Sequence, residues 1–213
     1  MSVQDEPADR SPDDADDDLE RTSGTPGGSA TGRFADEVDA DPRAVFDDAP
    51  AGAWALGGSG EWLVGRELER LTPHWYITHD VAVGQRGANL DHVLVGPPGV
   101  FVLNSKYHGD KPVLVDGEVF VGGRHRAHVR QGEREAARAS RALSRALGEP
   151  VVAVSLIVVV ASFYECPKQP SSRSVRVVHA RQAVPFLTGL EPAIPPAVVR
   201  RLTRLVRRPS TWR

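Results

Sequence analysis

Asp91, Asn104 and Lys106 are residue types that can act together on a phosphate ester. Carboxylate and amide oxygens can hold a hard cation such as Mg²⁺, and a lysine ammonium can steady an oxyanion or an attacking water. Magnesium-dependent cleavage of a phosphodiester bond needs both kinds of group in one place. Whether these three side chains meet depends on the elements that carry them.

The chain around these residues predicts a β-hairpin. Residues 90–95 and 100–106 have the composition of strands, and Gly96-Pro97-Pro98-Gly99 between them is short enough for a tight turn. With the two prolines as the turn residues, Asp91 lies directly opposite Asn104 and shares its face. Lys106 follows two residues later, so the period of a strand places it on that face as well.

The rest of the pattern predicts an α/β domain with a mixed β-sheet flanked by helices. The segment 151–160 is apolar almost throughout, which is typical of a strand buried on both faces. Apolar and β-branched periodicity predicts further strands over 75–83 and 175–179, a hairpin over 113–121 at the sheet edge, and helices over 61–71, 127–147, 181–187 and 196–208.

Charge divides the chain into two parts. Residues 1–50 contain fifteen acids and four bases, a net charge of −11, and residues 51–213 carry +9. The first part is too acidic to bury a core, which predicts a disordered acidic N-terminal tail. The basic remainder suggests an anionic partner, most commonly nucleic acid, although arginine-rich sequences from GC-rich genomes carry surplus Arg without any binding role.

Other features of the composition exclude several classes of protein. The single cysteine, Cys166, excludes an internal disulfide framework and a cysteine-rich zinc site. No apolar run approaches the roughly 20 residues of a membrane helix, and the acidic N-terminus does not resemble a secretion signal. We therefore expect a protein of the reducing cytoplasm, with no membrane partner.

Five separated blocks occur in an order that resembles the NERD (nuclease-related domain) family. The resemblance runs from about Gly57 to Val160, and the family is similar to the restriction-endonuclease-like PD-(D/E)xK nucleases. The blocks are Gly58-Ser59-Gly60-Glu61, Leu90-Asp91-His92-Val93-Leu94-Val95-Gly96-Pro97, Gly99-Val100-Phe101-Val102, Asn104-Ser105-Lys106-Tyr107-His108-Gly109 and Gln131.

The resemblance implies a restriction-endonuclease-like mixed sheet and a site for Mg²⁺ or Mn²⁺. By motif, Asp91 is the metal-binding aspartate, Asn104 occupies the second acid position, and Lys106 is the catalytic lysine. The resemblance adds Glu61 as a helical acid and metal ligand, Gln131 as the glutamine of the site, and the Ser105 carbonyl as a further ligand. Asn104 departs from the pattern, because a neutral amide stands where a carboxylate is expected and hard-cation affinity follows ligand charge.

Each residue also has a simpler interpretation when taken alone. Asp91 near a turn can be a turn residue, Lys106 can be a solvated strand end, and Gln131 can lie on an exposed helix face. Glu61 in a first helical turn is favoured by the helix dipole in any case.

The expected organisation is an acidic tail over 1–50, a nuclease-related domain over 57–190 and a basic helical extension over 191–213. The leading hypothesis is a magnesium-dependent nuclease of DNA processing, with an activity that Asn104 would impair. The alternative is a nucleic-acid-binding module of the same fold that does not cut. A third hypothesis is an interaction scaffold that uses neither a metal nor DNA and in which the acidic tail is the functional segment.

Overall fold

The computed structural model describes residues 57–71, 73–84 and 88–213, and the side chains of residues 57–62 lie outside that description. The segment predicted to be a disordered acidic tail, residues 1–50, lies outside the described residues.

The described chain alternates helices with short runs of strands. The helices are α1 (Gly57–Leu68), α2 (His128–Leu147), α3 (Ala180–Thr188) and α4 (Pro196–Val206), with short 3-10 helices at Glu69–Leu71 and Pro209–Trp212. The strands are β1 (Tyr76–Val83), β2 (Ala88–Gly96), β3 (Gly99–Gly109), β4 (Val113–Asp116), β5 (Glu118–Val121), β6 (Arg124–Arg126), β7 (Ala153–Ala161), β8 (Tyr164–Lys168) and β9 (Val175–His179).

The main sheet has five strands in the order β1-β2-β3-β7-β9. The pairs β1–β2 and β2–β3 are antiparallel, whereas β3–β7 and β7–β9 are parallel, so the expected mixed sheet is confirmed. The expected interior strand is β7. Leu156 and Ile157, which are adjacent residues within β7, point to opposite faces of the sheet. Both are buried, because other elements pack on each face.

The hairpin over 113–121 was expected at the edge of this sheet, and that expectation is wrong. It is β4–β5, and it belongs to a second, four-stranded sheet in the order β6-β5-β4-β8. The four buried valines of β4 and β5 pack against Ile157 and Val159, so the hairpin lies over a face of the main sheet instead of extending its edge. The segment that contains Cys166 forms β8, an edge strand of this second sheet, where Pro167 is tolerated.

Alternation along β3 divides the core between two layers. Phe101 and Leu103 face α1 and α3, while Val100 and Val102 face α2 and α4. The period of two therefore directs Asn104, the next residue of the second series, toward α2.

The C-terminal segment packs on the same core. Leu202, Val206 and Trp212 are buried in the layer that contains Val100 and Val102. A boundary at residue 191 stays a prediction. None of the helices in the described residues is long and apolar enough to cross a membrane.

Gly96 at the end of β2 lets the backbone approach the buried ring of Trp75. A Cβ at this position would lie 2.4 Å from Trp75 Cδ2. Gly96→Ala should therefore destabilise the protein by about 1–3 kcal/mol, the usual cost of overpacking a core. Thermal unfolding would measure the effect.

Gly65→Ala is the matched control, since its Cβ would meet ordinary contacts of 3.6 Å or more and alanine favours the helix. An unfolding temperature for Gly96→Ala equal to that of the parent would contradict the packing described for Trp75.

Candidate functional site

The hairpin that carries the predicted site residues has the expected register. Pairs run from Gly96–Gly99 to His92–Leu103, with the two prolines between the strands. One step further, the backbone N–H of Ser105 donates to Asp91 Oδ2 at 3.1 Å. The carboxylate of Asp91 is thus anchored to β3 by a side-chain-to-backbone bond at the point where the regular pairing ends.

Helix α2 adds a carboxylate that sequence reasoning did not select. Asn104 Nδ2 lies 3.1 Å from Oε1 and 3.3 Å from Oε2 of Glu135 and donates to this carboxylate. Gln131 Nε2 donates to Glu135 Oε1 at 3.0 Å from one helical turn earlier. The exposed fractions of Asn104, Lys106 and Glu135 are 7%, 8% and 9%, so the cluster is largely removed from water.

The electrostatics of Glu135 show which charges share this space. Burial raises the pKa of Glu135 above its ordinary value, and the negative charge of Asp91 raises it further. Hydrogen bonds from Gln131 and Asn104 and the positive charge of Lys106 act in the opposite direction. Two carboxylates and one ammonium, contributed by β2, β3 and α2, therefore interact in one place.

The structure brings together four of the six residues named from the sequence, namely Asp91, Asn104, Lys106 and Gln131. Glu61 lies in α1, which packs on the opposite face of the sheet, and its side chain is outside the described residues. Ser105 contributes its backbone N–H to Asp91. A ligand role for its carbonyl stays a prediction.

Glu135 is the residue that the sequence analysis missed. It lies four residues after Gln131 and four before Ala139, within a helix stripe otherwise made of buried small and apolar residues. An acid in such a stripe is unusual unless it has partners or a function. That signal could have identified it, although its partner Asn104 is 31 residues away in the chain.

The donor set suits a hard divalent cation. Asn104 Oδ1 is buried and has no hydrogen-bond partner in the structure, while its Nδ2 is used on Glu135. A buried polar atom left in this state costs about 1–3 kcal/mol, which a bound cation would offset. Within the described chain, no group of three His, Cys, Asp or Glu side chains could hold a metal ion. The oxygen atoms available for a cation here are the amide oxygen of Asn104 and the carboxylate oxygens of Asp91 and Glu135.

Residues 56–161 match the family model described as "Nuclease-related domain". A solved structure, the small subunit (R.BspD6I2) of the heterodimeric restriction endonuclease R.BspD6I, is similar at 13% identity with a TM-score of 0.36, over 78% of this chain and 88% of that chain. No curated protein matches the chain. The family match spans Asp91, Asn104, Lys106, Gln131 and Glu135.

Proposed function

The chain belongs to the nuclease-related domain family, and we propose that it is a divalent-metal-dependent nuclease that hydrolyses phosphodiester bonds in DNA. The observation that carries the proposal is the meeting of four groups beneath α2. They are the carboxylates of Asp91 and Glu135, the buried amide oxygen of Asn104 and the ammonium of Lys106.

Mg²⁺ or Mn²⁺ would be held by the oxygens of Asp91, Asn104 and Glu135, which are hard ligands of the kind these ions prefer. When bound, such an ion supplies Lewis-acid polarisation of the phosphate and lowers the pKa of an attacking water. Glu135 supplies the negative charge that is missing at Asn104, so the site keeps two carboxylates despite the substitution.

The other side chains have roles that follow from their contacts. Lys106 places a buried positive charge near Glu135, where it can stabilise negative charge on a phosphate oxygen in the transition state. Gln131 is a positioning residue, because its amide N–H groups hold the Glu135 carboxylate without belonging to the ligand set. The N–H of Ser105 does the same for Asp91.

The competing proposal is a module that binds nucleic acid without cutting it. Two observations favour it, since Asn104 carries no charge and the pKa of Glu135 is raised by burial. Both weaken the negative potential that attracts a divalent cation. The excess of positive charge, +9 over residues 51–213, would still attract a phosphate backbone.

Cleavage assays separate the two proposals. Supercoiled plasmid, linear duplex, single-stranded DNA and RNA would be incubated with Mg²⁺, Mn²⁺ or EDTA. We expect cation-dependent cleavage of DNA that Asp91→Ala and Lys106→Ala each reduce by at least about 100-fold while DNA binding is retained. Asp116→Ala and Lys111→Ala, at exposed positions, are the matched controls.

Two results would count against the nuclease. If the parent protein binds DNA and cleaves none of the four substrates with either cation, the binding module is the better account. If Asp91→Ala and Lys106→Ala cleave as fast as their controls, cleavage occurs elsewhere on the protein.

Residues 1–50 should weaken binding of nucleic acid. Their net charge of −11 is joined to a domain of +9, so they compete with DNA at a high effective concentration. Removing them should tighten DNA binding most at low salt, where charges are least screened. Fluorescence anisotropy across a salt series measures this, and equal affinity at low salt would contradict it.

A further inference from the structure

A group of basic side chains, here called the basic cluster, adjoins the candidate site. It consists of Lys106, His108, Arg126 and His128. Lys106 and His108 lie two residues apart on β3, Arg126 ends β6, and His128 is the first residue of α2. Three separate elements therefore direct positive or proton-donating groups toward one place.

The two histidines of the cluster face each other. Their Nε2 atoms are 3.3 Å apart, and the rings are stacked at 25° with centroids 5.3 Å apart. The second histidine pair of the protein, His79 and His92, differs, with Nδ1 atoms 2.6 Å apart and perpendicular rings. The separation in the basic cluster is long for a hydrogen bond, and both of its histidines are partly exposed to solvent.

The surroundings of His128 favour an anion. Burial lowers the pKa of His128, and the positive charges of Lys106, His108, Arg126 and His125 add to this effect, so that the pKa falls to about 3. The same charges would attract a phosphate. Helix α2 begins at this point without a side-chain cap and without an acid in its first turn, so its N–H groups add to the positive potential.

We propose that the basic cluster binds a backbone phosphate of the nucleic acid next to the phosphate held at the carboxylate site. This inference rests on the proposed nuclease function and deepens it. The imidazole N–H groups of His108 and His128 and the guanidinium of Arg126 donate to the phosphate oxygens. The substrate is then a strand with at least two consecutive phosphates, because the two sites adjoin through Lys106.

A transition-metal ion is the other ligand that a histidine pair could take. Two nitrogens on one tetrahedral ion at about 2.0–2.1 Å each would lie roughly 3.3 Å apart, close to the observed separation. The surrounding lysine, arginine and third histidine oppose a cation at this position, which is why a phosphate is the better fit. Zinc binding is therefore an outcome that the test must distinguish.

The test follows the histidine resonances of the full chain by ¹⁵N NMR in EDTA while inorganic phosphate is added. We expect saturable shifts for His108 and His128 and none for His79 and His92. His128→Gln and His108→Gln should each weaken the phosphate affinity about tenfold, the loss of one charge-assisted hydrogen bond. His79→Gln is the matched control and should leave the affinity unchanged.

Three results would overturn the inference. The first is an equal shift of the resonances of both histidine pairs on addition of phosphate, and the second is no shift of any histidine resonance at millimolar phosphate. The third is a saturable shift of the His108 and His128 resonances with Zn²⁺ in an EDTA-free sample, but none with phosphate. Because two single variants on different elements are used, a folding defect in one leaves the other to decide.

A second arm separates this inference from the nuclease proposal. With Mn²⁺, His128→Gln should hydrolyse the small diester bis(p-nitrophenyl) phosphate as fast as the parent but bind DNA about tenfold more weakly. Loss of both properties in His128→Gln would place the histidine in the carboxylate site and contradict a separate phosphate site. If phosphate shifts the histidine resonances of a parent protein that cleaves no substrate, the nuclease proposal is wrong. The proposed role of the basic cluster next to a cleaved phosphate is then wrong as well.

Discussion

Glu135→Gln should lose metal-dependent cleavage by at least about 100-fold while the fold stays intact. The substitution keeps the size of the side chain and an acceptor for Asn104 and Gln131, but it removes one of the two negative charges proposed to hold the cation. Plasmid nicking with Mg²⁺ and Mn²⁺ is the measurement. Glu133→Gln, at an exposed position of the same helix, is the matched control.

The same variant should be more stable than the parent above neutral pH in EDTA. Burial raises the folded-state pKa of Glu135, so its ionised form is less favourable in the folded protein than in the unfolded chain. That penalty is fully present above the folded pKa and disappears as pH falls below the ordinary glutamate value. We therefore expect the unfolding temperature of Glu135→Gln at pH 8 to be higher than that of the parent, and the difference to disappear at acidic pH.

Cleavage by the parent should accordingly rise as pH increases through the raised pKa of Glu135, because only the ionised carboxylate attracts the cation. If Glu135→Gln cleaves at the parental rate, or unfolds at a clearly lower temperature than Glu133→Gln, then Glu135 holds the structure together and not the cation.

Asn104→Asp should bind Mg²⁺ or Mn²⁺ at least about tenfold more tightly than the parent. The substitution restores a charged oxygen on the strand face shared with Lys106, and affinity for hard cations rises with ligand charge. Without a cation the new carboxylate would face Glu135 and lose the hydrogen bond that Asn104 Nδ2 donates. The unfolding temperature should therefore fall in EDTA and recover when the cation is added.

Gln182→Glu provides a charge-matched control for this gain, since Gln182 is exposed on α3, which packs on the opposite face of the main sheet. A cation affinity that rises equally in both variants would reflect net charge alone. An affinity that does not change in Asn104→Asp would contradict the position given to Asn104 in the ligand set.

The hairpin part of this site was predictable because its determinants are local. The sequence between Gly96 and Gly99 sets the turn, the turn sets the register, and the register places Asp91 near Asn104. The interior position of β7 followed from its continuous apolar character in the same way. Such features depend on neighbours within a few residues of the chain.

The parts that were not predicted depend on contacts between distant segments. Glu135 meets Asn104 only because α2 packs across the main sheet, and periodicity alone does not specify how a helix is rotated over a sheet. The second sheet needs β8 to pair with β4 from far along the chain, and a proline such as Pro167 within a segment argues against a strand there. Neither contact has a local signature.

Asp91, Asn104 and Glu135 are proposed to form one cation site beside Lys106. Its most direct measurement is Mn²⁺ binding, followed by electron paramagnetic resonance, to the parent and to the Asp91→Asn, Glu135→Gln double variant. We expect one saturable site in the parent and its loss in the double variant, with both proteins folded. Equal Mn²⁺ binding by the two proteins would contradict it.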